Sequence, residues 1–145
     1  MPNTSPEKKR ILIDSSVIIA GLLSPSGGSA KVLNACREGG VFCYLSPAIR
    51  NEVVRNLPAN QPSLKEQFER YASSCQTAEV KDEELNEFVG IVDEKDIHVI
   101  IAARNAGADV IVSLNRKHLL DNMRIRNVIH VRIITPKTLI REIAL

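Results

Sequence analysis

At 145 residues the chain is long enough for one domain, and its 42 Leu, Ile and Val residues supply a core that disordered chains lack. Five aromatic residues (Phe42, Tyr44, Phe68, Tyr71, Phe88) and no Trp leave little surface for stacking bases, which argues against RRM-like and OB-like recognition. The net charge of +2 conceals segregation: residues 82–96 carry seven acids against one lysine, and residues 115–142 carry seven bases against two acids. That pattern permits a polyanion or cation site, and two solvated faces explain it equally well.

Residues 1–10 are polar, with two prolines and a basic end, and read as a flexible arm ahead of a domain over 11–145. The run Ile11-Leu12-Ile13, then Asp14-Ser15-Ser16, then an apolar stretch from Val17 to Leu23 predicts strand, sharp turn and helix. A loop over 24–29 precedes a second helix ending near Gly39-Gly40. A second strand is expected at 41–45, followed by a helix that Ser46 caps, with Pro47 at its first position and Glu52 within it. Residues 56–62 break that helix. Ser63-Leu64-Lys65-Glu66 has the form of a capping box opening the next, to about Ser74.

A weak strand at 77–80 and an acidic helix over 82–90 come next, then a helix from Asp96 through Ala106, ended by Gly107. Val110-Ile111-Val112 is the clearest buried strand and runs into Ser113-Leu114-Asn115. A short helix at 117–120, a strand at 129–134 and a Thr135-Pro136-capped helix complete the chain. Short strands alternating with helices predict an α/β fold, a parallel sheet covered on both faces.

Cys36, Cys43 and Cys75 are an odd number in no zinc spacing, with no secretory segment before them. They predict reduced thiols in a cytoplasmic protein. The apolar stretches fall well short of the ~18 residues of a membrane span.

In such sheets ligands sit beyond the carboxyl ends of the strands, where strand order reverses. The residues leaving the strands are therefore the candidates: Asp14 after the first, Ser113 and Asn115 after the run 110–112, and the helix-borne Glu52 and Asp96. Carboxylates gathered without Cys or His suit hard Mg²⁺ or Mn²⁺, and such sites suit phosphodiester hydrolysis. Each also has a plainer explanation: Asp14 as a helix cap, Glu52 as a surface residue, Asp96 as a partner of the helix dipole, Asn115 as a turn residue. Arg116 and Lys117 follow Asn115 and would stand at the rim, where they could hold backbone phosphates. His98, two residues past Asp96, reads as a polar helix residue on another part of the helix.

The ordered series ILIDSSVIIAGLLSP, LSPAIRNEVVRNL, VDEKDIHVIIAARNAGADVIVSLNRKHLL and IITPKTLI, spanning residues 11–140, resembles the PIN-domain nucleases, most of all the VapC-like toxins of toxin-antitoxin pairs. The resemblance implies a three-layer α/β/α fold with a parallel sheet of about five strands. It also implies a Mg²⁺- or Mn²⁺-dependent endoribonuclease leaving 5′-phosphate and 3′-hydroxyl ends. Asp14, Glu52 and Asp96 match the family's principal acids and metal ligands, Asp93 a frequent nearby acid, and Ser113 a catalytic-site hydroxyl position usually held by Thr. Asn115 stands where a fourth Asp is usual, and Ser15-Ser16 where Thr-Asn is common, so reduced activity is implied. The partners implied are RNA, an antitoxin protein and a second copy, the last two over 52–74, with no membrane.

Replacing any of the three acids by Ala is expected to abolish cleavage and leave the fold intact. Two rivals remain. A degenerate PIN domain that binds RNA or protein without cutting is motivated by Asn115. A receiver-like signalling domain lacks the acidic pair before the first strand and a suitably placed lysine.

Overall fold

The computed structural model of the chain describes residues 8–115 and 129–143. Strands β1 (Arg10–Ile13), β2 (Phe42–Leu45), β3 (Gln76–Thr77), β4 (Val110–Val112) and β5 (Arg132–Ile134) form one five-stranded sheet, parallel throughout, in the order β3-β2-β1-β4-β5. Around it lie α1 (Ser15–Leu23), α2 (Gly28–Glu38), α3 (Pro47–Asn56), α4 (Ser63–Ala72), a 3-10 helix (Asp82–Phe88), α5 (Ile97–Ala106) and α6 (Pro136–Glu142). This is the α/β fold that the alternation predicts.

The central strands explain their own sequences. A parallel strand buried on both faces reads as an unbroken apolar run. Ile11, Leu12 and Ile13 are fully buried, and Leu12 lies level with Tyr44 on one side and Ile111 on the other. From β1 the chain steps outward to β2 and β3, then crosses back to β4 and β5 on the opposite side. The strand order therefore reverses between β1 and β4, which opens a crevice beyond their carboxyl ends. Among the helices α1 packs on α2, α3 and α4, while α5 packs on β1 and the 3-10 helix, and α6 rests on α2.

The helix signals mostly act as their chemistry requires. Ser46 and Thr135 accept from the N–H groups of Ile49 and Thr138, each with Pro as the next residue, and Gly107 ends α5 at φ 65°, a left-handed conformation that glycine adopts freely. Ser63, however, does not cap α4. Pro62 already has helical dihedrals, whereas a capping serine needs extended backbone, so Ser63 is the first helical residue. The acidic stretch folds as a 3-10 helix. In that geometry residues three apart eclipse, and it brings Glu84 and Glu87 together onto Arg104 of α5. Part of the acidic run is thus neutralised internally.

The expectation of three reduced thiols is corrected. The turn at Gly39-Gly40 sends α2 directly into β2, and the Cα atoms of Cys36 and Cys43 come within 5.8 Å, joined by a disulfide. Cys75 remains a thiol, and burial pushes it up to about 11. The helix expected at 117–120 lies outside the described residues. Among the described residues, no single helix is long and apolar enough to cross a membrane.

The contact between α1 and α2 depends on Gly21, where a Cβ would stand 2.6 Å from Leu33 Cδ1 and 3.1 Å from the Ser29 carbonyl carbon. Gly21→Val should therefore destabilise the fold by about 1–3 kcal/mol through overpacking, read as a lower urea midpoint. An unchanged midpoint would mean that the two helices can separate at no cost.

Candidate active site

Asp14 leaves β1 at the point where strand order reverses. Its N–H donates to the Val112 carbonyl (2.9 Å), extending the pairing of β1 with β4, and its backbone then caps α1. The side chain is almost fully buried. Oδ1 accepts from the Ser15 N–H (2.9 Å), while Oδ2 accepts from the hydroxyls of Ser16 (2.8 Å) and Ser113 (3.0 Å). A helix cap needs only the first of these bonds. The other two tie the start of α1 to the exit of β4, where Ser16 Oγ accepts from the Leu114 N–H and Ser113 Oγ from the Asn115 N–H.

Glu52 projects from α3 toward the same place. Its Oε2 accepts from Ser15 Oγ (2.8 Å), and its Oε1 accepts from His98 Nε2 (2.6 Å) in the first turn of α5. Ser15 thus bonds both acids, Asp14 through its N–H and Glu52 through its hydroxyl. Asp96 is the N-terminal boundary residue of α5, and its side chain makes no capping bond.

Asp14, Glu52, Asp96 and Asn115 line one open crevice of about 420 Å³, together with Ser15, Ser16, Arg55, Asn56 and Lys95. Ser113 is fully buried and reaches Asp14 beside it. Asp93 is exposed and is not one of the crevice's lining residues; its Oδ1 accepts from the Lys95 N–H (3.1 Å) in the turn before α5. Arg116 and Lys117 lie outside the described residues. The basic groups that do line the crevice are Arg55 and Lys95, both exposed.

The oxygen-only set of Asp14, Glu52, Asp96 and the Asn115 amide is the donor chemistry of a hard divalent cation. Among the described residues, no three His, Cys, Asp or Glu side chains are drawn together tightly enough to enclose an ion. The set fits such a cation by chemistry and by shared crevice. The Asp14 and Glu52 side chains are held by hydrogen bonds within the protein.

A model of the PIN domain matches residues 10–117, a span that runs from β1 past β4 and includes every residue of the crevice. The chain belongs to the PIN domain family. The PIN domain is a nuclease-type fold, so the family and the crevice point to the same class of chemistry. The chain is also 24% identical over 150 residues to an uncharacterized protein, MJ1680, of Methanocaldococcus jannaschii; the match covers 93% of this chain and 92% of that one.

Two residues of this PIN domain's crevice network carry weak signals in the sequence. Ser15 is a hydroxyl directly after the first acid, visible as a turn residue and as a departure from the Thr-Asn common at Ser15-Ser16. His98, two residues past Asp96, is not one of the crevice's lining residues; it joins the network through Glu52 Oε1, a contact 46 residues away in sequence that spacing along its own helix does not reveal.

Burial also changes what Asp14 does for stability. Asp14→Ala would strip acceptors from two hydroxyls and an N–H at the buried junction, so the expectation that this change leaves the fold untouched does not suit its surroundings. A loss of about 2–3 kcal/mol is expected for Asp14→Ala and about 1 kcal/mol for Asp14→Asn, which keeps an acceptor oxygen. Urea unfolding of the two variants measures the difference. Equal losses would mean that the bonds to Asp14 contribute little.

Proposed function

We propose that this PIN domain is a metal-dependent endoribonuclease that hydrolyses RNA phosphodiester bonds, the toxin component of a VapC-like toxin-antitoxin pair. The observation that carries the reading is the common crevice of Asp14, Glu52 and Asp96, brought from β1, α3 and the start of α5 to the point where strand order reverses. In this reading those three acids hold Mg²⁺ or Mn²⁺, which supplies an activated water and stabilisation of the leaving oxygen. Asn115 contributes an uncharged oxygen, and Ser113 fixes the Asp14 carboxylate. Arg55 and Lys95, on the crevice walls, would take the phosphates flanking the scissile bond, and Arg116 and Lys117, which follow Asn115 in the sequence, would serve the same role. Asp93 stands by as a further acid in the turn before α5.

The same reading carries its partners: RNA inside the cell, in the cytoplasm, an antitoxin protein, and a second copy of the chain over α3 and α4. Val54 on α3 is an exposed large apolar side chain on that surface.

One observation favours a second reading, a PIN domain that binds RNA or protein without cutting: the crevice presents an amide at Asn115 where a fourth carboxylate would raise its affinity for a cation.

Cleavage of single-stranded RNA by the purified protein separates the two. Under the first reading cutting requires Mg²⁺ or Mn²⁺, stops in EDTA, and falls at least 100-fold in Glu52→Gln and in Asp96→Asn, with melting temperatures near that of the parent. RNA binding without cutting in either metal would favour the second. Asn115→Asp should tighten Mn²⁺ binding and raise the single-turnover rate. If it changes neither, and Asp93→Ala removes activity, Asp93 is the acid that completes the site.

A further inference from the structure

Glu52 is held at both ends of its carboxylate. A carboxylate offers about four lone-pair positions over its two oxygens. Ser15 Oγ takes one on Oε2 and His98 Nε2 one on Oε1, at 2.8 and 2.6 Å. Each oxygen keeps a free position, and Glu52 lies on the wall of the crevice.

His98 is an unusual residue to find in that place. Its side chain is only 15% exposed, on a helix whose neighbours Ile97, Val99, Ile100 and Ile101 are buried in the core. With a carboxylate opposite, Nε2 carries the proton, and the other ring nitrogen, Nδ1, is buried with no hydrogen-bond partner among the described residues. An unpartnered polar atom opposes folding, so packing alone would favour an apolar side chain here. The polar contact that His98 makes is to Glu52.

We propose that His98 is a positioning residue of the PIN-domain site, which together with Ser15 fixes the Glu52 carboxylate in the orientation that receives a divalent cation. The clamp joins three elements: Ser15 at the start of α1, Glu52 in α3 and His98 in the first turn of α5. A glutamate on a helix otherwise has several rotamers open to it, and holding one removes an ordering cost from each binding event. Groups that hydrogen-bond a metal's ligands typically contribute about 10- to 100-fold to metal affinity. The inference rests on the reading of Glu52 as a metal-holding acid.

Titration calorimetry with Mn²⁺ alone, on the full chain, tests it. His98→Ala should weaken Mn²⁺ binding by about 10- to 100-fold, and His98→Gln, whose amide N–H can reach the same carboxylate oxygen, should recover most of that loss. Thermal melts of the metal-free proteins complete the test: His98→Leu should melt no lower than the parent while binding Mn²⁺ as poorly as His98→Ala. In the RNA assay His98→Ala should lower kcat with little change in KM. Unchanged Mn²⁺ affinity in His98→Ala, or His98→Gln no better than His98→Ala, would overturn the proposal. Glu52→Ala separates the two failures. If it loses Mn²⁺ binding while His98→Ala keeps it, the clamp is wrong and the reading of Glu52 stands; if Glu52→Ala binds Mn²⁺ like the parent, both fall.

Discussion

A carboxylate buried where a parallel sheet changes direction constrains everything around it. Taking Asp14 out of water is costly unless its oxygens are met by donors. Here they are met by the Ser15 N–H and by two hydroxyls, Ser16 from α1 and Ser113 from the end of β4. These bonds fasten the first helix to the exits of the two strands that flank the reversal. They also pin the turn that presents Asn115, through the hydrogen bonds of Leu114 and Asn115 to the same two hydroxyls.

From Asp14 the hydrogen bonding continues outward: Ser15 passes it to Glu52, and His98 in the first turn of α5 meets the other Glu52 oxygen. Neighbouring carboxylates repel one another, and the donors that meet Asp14 and Glu52 are fixed in the scaffold, at a strand end and at helix starts rather than on a free loop. The cations Arg55 and Lys95 sit on the same walls, so a polyanion meets positive charge as it approaches the acids. The disulfide between α2 and β2 includes no crevice residue.

Much of this was legible in the sequence. Apolar runs without alternation announced β1 and β4 as interior parallel strands, and Ser46-Pro47 and Thr135-Pro136 marked their helices because cap and proline chemistry is local. Asp14, Asp96 and Asn115 emerged as residues that leave strands or open helices, which is where such sheets bind, and Glu52 as an acid borne on the helix that follows the second strand. What was not legible depended on tertiary contact. Ser63 looks like a cap until Pro62 takes up helical dihedrals, and the acidic stretch looks like an α-helix until Arg104 gathers its glutamates. Cys36 and Cys43 pair because a glycine turn folds helix onto strand. The role of His98 depends on its contact with Glu52 of α3, 46 residues away in sequence.

The chemistry of the cut ends tests most directly the proposal that these acids cut RNA through a metal-activated water. Mixed cellular RNA treated with the purified protein in Mn²⁺ should acquire new internal ends that carry 5′-phosphate and 3′-hydroxyl groups and that fail to appear in EDTA. New ends that form equally well in EDTA, or that carry 2′,3′-cyclic phosphate, would contradict the account.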